Sequence, residues 1–252
     1  MSAAWSSEAL WLLTGGAAFA AGVLNAIAGG GSFLTFPALV FAGVPPLAAN
    51  ATSAMAVSPG YLGSTWGFRS ELKALPKSLL QREVVIAASG GLIGAGLLLV
   101  TPASVFSSLV PWLLLLATAL FAAGPWLAQR NAGQGRQAWR QPGLMFVAIY
   151  GGYFNGGLGI LLMALYTLTG EARLNTVNAL KNLNSFVLSL LSVLAFALAG
   201  AIVWPQAVWM MVLATAGGWV GARLAKRLPV QWVRNLVIIT GLSMSIVFFS
   251  RL

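Results

Sequence analysis

The chain has 252 residues, of which 59% are hydrophobic and only 7% are charged. A soluble globular protein carries about 25% charged residues, so this composition excludes a soluble globular fold and predicts an integral membrane protein. Fourteen Lys and Arg residues against four Glu give a formal charge of +10. The basic residues are few and lie in short connectors, a distribution that indicates membrane topology rather than nucleic-acid binding.

The chain has no Cys, His or Asp, three residue types with common catalytic and metal-binding roles. Disulfides, Cys- or His-ligated metal sites and a Ser-His-Asp triad are therefore excluded. We expect no cofactor and no enzymatic activity. A cleaved signal peptide normally begins with basic residues. No Lys or Arg precedes the first apolar run of this chain, so we expect this segment to be retained.

A membrane-spanning helix needs about 20 apolar residues. In chain order, the predicted spans are 47–68, 84–100, 105–128, 174–198, 207–222 and 230–250. Two further apolar regions, 8–42 and 143–168, are interrupted by glycine-rich segments. These segments are Ala28-Gly29-Gly30-Gly31-Ser32 and Asn155-Gly156-Gly157-Leu158-Gly159. Glycine disfavours a helix by about 1 kcal/mol per residue, so each region is predicted to be a broken helical hairpin.

The two interrupted regions belong to an internal repeat. Short matches recur in the same order at an offset of 127 to 130 residues: Asn25 with Asn155, Asn50-Ala51 with Asn178-Ala179, Leu75-Pro76 with Trp204-Pro205, Gly91-Leu92-Ile93-Gly94-Ala95 with Gly218-Trp219-Val220-Gly221-Ala222, and Pro102 with Pro229. The pattern predicts two homologous halves, 1–128 and 143–252, joined by a cytoplasmic linker at 129–142.

Basic residues predict that the halves are inverted relative to each other. The connector 69–83 holds four Lys and Arg, whereas its counterpart 199–206 holds none; 101–104 holds none, whereas 223–229 holds three. The positive-inside rule then places the linker 129–142 inside and both termini outside. The predicted fold is an all-α polytopic membrane protein with two inverted repeats, each a re-entrant broken hairpin plus three transmembrane helices. Such an architecture is typical of secondary transporters, whose substrate binds near the membrane midplane.

Broken helices expose free N–H groups and a positive helix end, which suit an anion. The alternative role for glycine is close packing between helices. We favour binding for the interrupting segments, with candidates Gly29, Gly30, Gly31, Ser32, Gly156, Gly157 and Gly159 beside Asn25 and Asn155. We favour packing for Gly91, Gly94, Gly218 and Gly221.

Polar residues also follow one face of the span 174–198. They recur every three or four residues, as a helical face requires, at Asn178, Asn182, Ser185, Ser189 and Ser192. Asn50 and Ser53 begin a similar face on 47–68. These side chains are either interhelical hydrogen-bonding groups or the lining of a polar path, and the functional role is favoured near Asn50 and Asn178.

Lys181 is the most informative single residue. It lies about two turns into the span 174–198. A charge at the membrane centre costs at least about 2.5–3.5 kcal/mol, so such a residue indicates a functional site; the alternative is a side chain that extends to the interface. The four Glu residues all lie in or near predicted connectors, so a carboxylate proton relay lacks a candidate. That distribution favours an anionic substrate.

Two segments carry a family resemblance: Gly22 to Pro37, GVLNAIAGGGSFLTFP, and Gly43 to Ser53, GVPPLAANATS. They resemble the TauE/SafE family of sulfite-exporter-like membrane transporters, and 151–159, 174–182 and 217–229 are similar to its second half. The resemblance implies an inner-membrane carrier of sulfite, sulfoacetate or related organosulfur anions, usually exported. The family's motif positions carry over to Asn25, Gly29, Gly30, Gly31, Pro37, Asn50, Thr52, Ser53, Asn155, Gly159, Asn178 and Lys181.

The leading hypothesis is a secondary transporter that exports a small sulfur-containing anion by alternating access. The alternatives are an anion channel and an uptake carrier for sulfate- or sulfonate-type anions. The expected partners are the small anionic substrate and the lipid bilayer, with no nucleic acid. The sequence leaves the oligomeric state open.

Overall fold

The structure is a computed structural model that describes residues 6–27, 29–130, 137–224 and 230–250. Within these ranges the chain forms α-helices and one 3-10 turn (Gln137–Trp139), with no strand. The α-helices are α1 (Ser7–Ile27), α2 (Ser32–Phe41), α3 (Pro46–Gly67), α4 (Arg69–Lys73), α5 (Lys77–Val100), α6 (Ala103–Arg130), α7 (Arg140–Tyr153), α8 (Leu158–Leu168), α9 (Leu174–Leu198), α10 (Trp204–Leu224) and α11 (Val230–Phe249).

The described part of the chain holds four helical segments long and apolar enough to cross a membrane. They are Ser7–Ala26, Lys77–Val100, Ala103–Ala123 and Leu174–Leu198. The apolar helices α2 and α8 are too short to span a bilayer of about 30 Å, because a helix rises only about 1.5 Å per residue. The chain is an all-α polytopic membrane protein, as its composition predicts.

The order of elements recurs along the chain. The short helices α2 and α8 begin at Ser32 and Leu158, 126 residues apart, and α6 and α11 begin at Ala103 and Val230, 127 residues apart. Helix α1 packs against α10, and α7 packs against α5; likewise α3 contacts α10, and α9 contacts α5. Helices α3 and α9 also contact each other, as do α6 and α11. Replacing α1 by α7, α3 by α9 and α5 by α10, and the reverse, converts the α1–α10 pair into α7–α5 and the α3–α10 pair into α9–α5.

Both predicted interruptions are confirmed, with shifted bounds. Helix α1 ends at Ile27 and α2 begins at Ser32, so Ser32 is helical, while Ala28 lies outside the described residues. Helix α7 ends at Tyr153 and α8 begins at Leu158. The second break therefore covers 154–157, and Gly159, predicted to lie in the loop, is in the first turn of α8.

Helix boundaries also correct one prediction about charge. The predicted span 84–100 is the deeper part of α5, which begins at Lys77 directly after Pro76. Lys, Arg, Gln and Glu are good helix formers, so the polar residues after Pro76 continue the apolar helix rather than form a loop. Glu83 consequently lies in the second turn of α5 and is only 2% exposed. The expectation that every Glu lies in or near a connector is wrong at Glu83.

Several topological predictions involve residues outside the described ranges. These residues are 1–5, 131–136, 225–229 and 251–252. They include both chain ends, part of the predicted linker 129–142 and most of the connector 223–229. The sidedness of the termini and of the linker stays a prediction.

Candidate functional site

The two breaks, far apart in sequence, lie against each other. Ser32, at the start of α2, donates a hydrogen bond through its Oγ to the carbonyl of Asn155 in the second break, at 2.8 Å. The backbones also approach closely, since a Cβ built on Gly159 would lie 2.7 Å from the carbonyl oxygen of Gly29. Any side chain at Gly159 would therefore separate the two breaks.

Each break contains one glycine in the left-handed backbone region, Gly29 with φ of 81° and Gly157 with φ of 77°. Residues with a Cβ rarely adopt this conformation, which glycine adopts without strain. Gly157 directly precedes α8, and its carbonyl accepts hydrogen bonds from the N–H groups of Ile160 and Leu161. A Cβ on Gly157 would lie 2.8 Å from the Cβ of Ala117 on α6. Gly157 is thus required both by the turn and by helix packing.

Asn50 on α3 holds the second break in place. Its Nδ2 donates to the carbonyl of Tyr153 at 3.1 Å, and its Oδ1 accepts from the N–H of Asn155 at 3.3 Å. The end of a helix leaves backbone groups without intrahelical partners, and the amide of Asn50 can both donate and accept. A side chain of the first half therefore supplies hydrogen-bond partners for backbone groups of the second half.

The first break is held by its own neighbours. The Oδ1 of Asn25 on α1 accepts from the N–H of Gly31 at 2.9 Å, and a Cβ on Gly31 would lie 2.5 Å from the carbonyl oxygen of Ala21. Thr35 and Ser53 share a buried hydrogen bond of 2.6 Å that joins α2 to α3. Asn25, Gly31 and Ser53 thus belong to the framework around the breaks.

Lys181 on α9 reaches the point where the breaks meet. A Cβ on Gly29 would lie 3.3 Å from its Nζ, and the residue is only 5% exposed. Within the described part of the chain, no hydrogen bond or ion pair involves this ammonium group. A buried ion without a partner is strongly disfavoured, so this position favours a negatively charged ligand. The burial does not fit a side chain that extends to the interface.

Other buried polar groups near this framework are also unpartnered. Both side-chain atoms of Asn155 are buried without a hydrogen-bond partner among the described residues, and so are the hydroxyls of Ser185 and Ser189 on α9. Ser192, on the same face, instead donates to the carbonyl of Gly91 on α5 at 3.1 Å. The polar face of α9 therefore divides into one interhelical hydrogen bond and two hydroxyls free to meet a ligand or water.

The remaining candidates make contacts of their own. Thr52 faces elsewhere, since its Oγ1 accepts from the N–H of Val203 just before α10. The carbonyl of Gly30 accepts from the N–H of Phe33, and that of Gly156 accepts from the hydroxyl of Tyr150 at 3.0 Å. Two more candidates, half-buried Asn178 and buried Asn182, lie beside Lys181 on α9. Neither side chain makes a hydrogen bond within the described ranges.

The predicted packing role is confirmed at three of four glycines. A Cβ would meet backbone of a neighbouring helix at Gly91, at Gly94 and at Gly221, the last at 2.6 Å from the Cα of Val23. At Gly218 the nearest atom is at 3.8 Å, an ordinary contact. Glycine at the first three positions permits the close approach of α5 to α7 and α9 and of α10 to α1.

A second polar cluster was missed by the sequence analysis. Glu83 on α5 accepts from the Nε of Arg140 on α7 at 2.7 Å, from the hydroxyl of Tyr166 on α8 at 2.9 Å, and from the Nδ2 of Asn184 on α9 at 2.9 Å. The Arg140 guanidinium also lies 5.1 Å from the centre of the Tyr166 ring. The sequence signal is weak: a Glu at the edge of an apolar run, and single polar residues in apolar helices.

Comparisons with known proteins agree with this architecture. The family model for "Sulfite exporter TauE/SafE" matches residues 14–248. The chain is 28% identical to "Probable membrane transporter protein ORF9" of Sinorhizobium, over 91% of this chain and 88% of that protein. It is 28% identical to a "Probable membrane transporter protein" of Haemophilus influenzae, over 90% of this chain and 89% of that protein.

It is also 29% identical to "Probable membrane transporter protein YfcA" of Escherichia coli, over 90% of this chain and 85% of that protein. No solved structure matches the chain. The chain belongs to the TauE/SafE family, which is a family of membrane transporters and not of enzymes.

Proposed function

We propose that this TauE/SafE family member is a secondary transporter that exports small sulfur-containing anions, sulfite or an organosulfonate, by alternating access. The observation that carries the proposal is the ammonium of Lys181, which is buried beside Gly29 where the two breaks meet and has no partner among the described residues. Membrane transport itself follows from the family, and the anion and the mechanism are the proposed part.

The chemistry of the site fits an oxyanion. An ammonium has three hydrogen-bond donors and no acceptor, and the side-chain amide of Asn155 lacks partners among the described residues. Sulfite and sulfonate groups offer several acceptor oxygens. The buried carboxylate of Glu83 does not oppose this preference, because Arg140 pairs with it at 2.7 Å. The site is therefore positive overall.

The proposed mechanism treats 1–128 and 143–252 as inverted repeats around this site. Support comes from the recurring order of helices and from packing pairs that are related by exchange of the halves. In the bacterial inner membrane both termini would be periplasmic and 129–142 cytoplasmic. An inside-negative potential favours anion exit by about 2.3 kcal/mol per charge per 100 mV, so export needs no coupled ion.

The test is flux in proteoliposomes containing the full chain, with sulfite, sulfoacetate, sulfate and thiosulfate as substrates. Lys181→Met should lower affinity at least thirtyfold, because breaking a buried charge pair costs about 2–5 kcal/mol. Lys181→Arg should restore part of the affinity, since a planar guanidinium keeps the charge but not the shape. Lys77→Met is the matched control, because Lys77 is exposed at the start of α5. Unchanged flux and affinity in Lys181→Met would contradict the proposal.

The alternatives, a channel and an uptake carrier, differ in measurable ways. Broken hairpins also line channel pores. A channel would show single-channel currents of many ions per millisecond, whereas a carrier shows saturable flux. An uptake carrier would accumulate the anion inside vesicles only when a cation gradient is supplied.

A further inference from the structure

We infer that the site takes singly charged anions in preference to doubly charged anions of the same shape. The inference rests on the proposed function and extends it, because it specifies the charge of the substrate. It combines the unpaired Lys181 with the Glu83 cluster, which the site described above does not use.

The buried charges of the described side chains leave one positive charge uncompensated. Glu83 is 2% exposed and its partner Arg140 is 13% exposed, and the 2.7 Å contact between them neutralises both. Glu171 is 15% exposed and pairs at 3.6 Å with Arg173, which is 70% exposed. Lys181, 5% exposed, has no such partner in the part of the chain that the structure describes. A ligand with one negative charge would balance it.

A second negative charge on the ligand would remain unbalanced in the interior. The attraction between an anion and Lys181 rises in proportion to the anion's charge. The penalty for removing the anion from water rises with the square of that charge in the Born description. With Lys181 as the one unpaired buried cation among the described side chains, the desolvation penalty therefore outgrows the attraction when the charge doubles.

Glu83 maintains this preference because it neutralises Arg140. It is also hydrogen-bonded to Asn184, which follows Lys181 by three residues on α9. Residues three apart on a helix have Cβ atoms about 5–6 Å apart, so the pair lies within about two helical turns of Lys181. Without the carboxylate, the Arg140 guanidinium would be a second unpaired positive charge. At a separation on the order of 10 Å and an effective dielectric constant of about 20, such a charge would raise the affinity for an anion about tenfold for each unit of anion charge.

The test uses sulfamate and sulfate, which are tetrahedral and nearly identical in size but carry one and two negative charges at neutral pH. Equilibrium binding of each to the purified full chain is measured by calorimetry. We expect sulfamate to bind at least tenfold more tightly than sulfate. Glu83→Gln should shift this ratio about tenfold toward sulfate, because it leaves the Arg140 guanidinium as a second unpaired positive charge. Tyr166→Phe is the control: it removes a hydrogen bond to Glu83 but no charge, and should leave the ratio unchanged.

The outcomes separate this inference from the proposed function. Binding of neither anion would overturn the proposed anion site and the charge preference together. Sulfate binding as tightly as sulfamate, or more tightly, would overturn the charge preference alone. The wild-type ratio decides this even where Glu83→Gln fails to fold. A folded Glu83→Gln protein with an unchanged ratio would overturn the role of Glu83.

Discussion

The buried Glu83–Arg140 pair makes a quantitative prediction about folding stability. Replacing Arg140 with Met would leave the Glu83 carboxylate buried with only the hydroxyl of Tyr166 and the amide of Asn184 as partners. Removing one member of a buried ion pair costs about 3–5 kcal/mol. Because two hydrogen-bond donors remain, we expect the lower end, about 3 kcal/mol of the free energy of unfolding.

A matched surface pair provides the comparison. Arg173 contacts Glu171 at 3.6 Å, but Arg173 is 70% exposed. Exposed pairs contribute about 0–1 kcal/mol, so Arg173→Met should lower the free energy of unfolding by less than about 1 kcal/mol. In addition, Glu83→Gln combined with Arg140→Gln should cost less than the sum of the single changes, because the double variant leaves no unpaired charge.

The assay is denaturant unfolding of the purified chain in detergent, followed by circular dichroism at low and high salt. Salt should hardly change the effect of Arg140→Met, since buried pairs are screened weakly. Equal losses in Arg140→Met and Arg173→Met would refute the reasoning. So would single-variant losses for Glu83 and Arg140 that simply add in the double variant.

Three further predictions concern the breaks and the topology. Gly157→Ala should lower the free energy of unfolding by about 1–3 kcal/mol, because a φ of 77° is strained for Ala. The control is Gly60→Ala on α3, where the added Cβ meets open space and should not destabilise the protein. Thermal unfolding of the two variants is compared. Asn50→Ala should cost about 1–3 kcal/mol and reduce flux, because it leaves the backbone groups of Tyr153 and Asn155 unpaired; a wild-type unfolding midpoint would contradict this. Gln134→Cys, the sole thiol in the chain, should react with an impermeant reagent from the cytoplasmic side, and labelling from the periplasm alone would contradict the inverted topology.

The sequence predicts most of the helices because hydropathy and length decide them. Predicted span 174–198 coincides with α9, and 47–68 differs from α3 by one residue at each end. The breaks are equally predictable, because consecutive glycines weaken a helix wherever the surroundings are apolar. These features depend on composition along the chain, so a single sequence carries them.

Side-chain partners within the site are less predictable. The sequence pairs Asn25 with Asn155, but Asn25 lies inside α1, whereas Asn155 lies beyond the end of α7. Asn25 accordingly holds its own break, while the Asn155 side chain has no partner among the described residues. Sequence matches identify corresponding regions, but which atoms meet depends on how the helices pack.

The charge of the site depends on a helix boundary that hydropathy does not define. The apolar run begins at residue 84, but α5 begins seven residues earlier, at Lys77. Seven helical residues extend about 10 Å, a distance that moves Glu83 from a presumed surface connector into contact with α7, α8 and α9. The same shift supplies the partner for Arg140. Without it, Arg140 would be a second, largely buried positive charge without a partner; with it, Lys181 is the buried cation that lacks a partner among the described side chains. The preference for singly charged anions that we propose thus depends partly on where α5 starts.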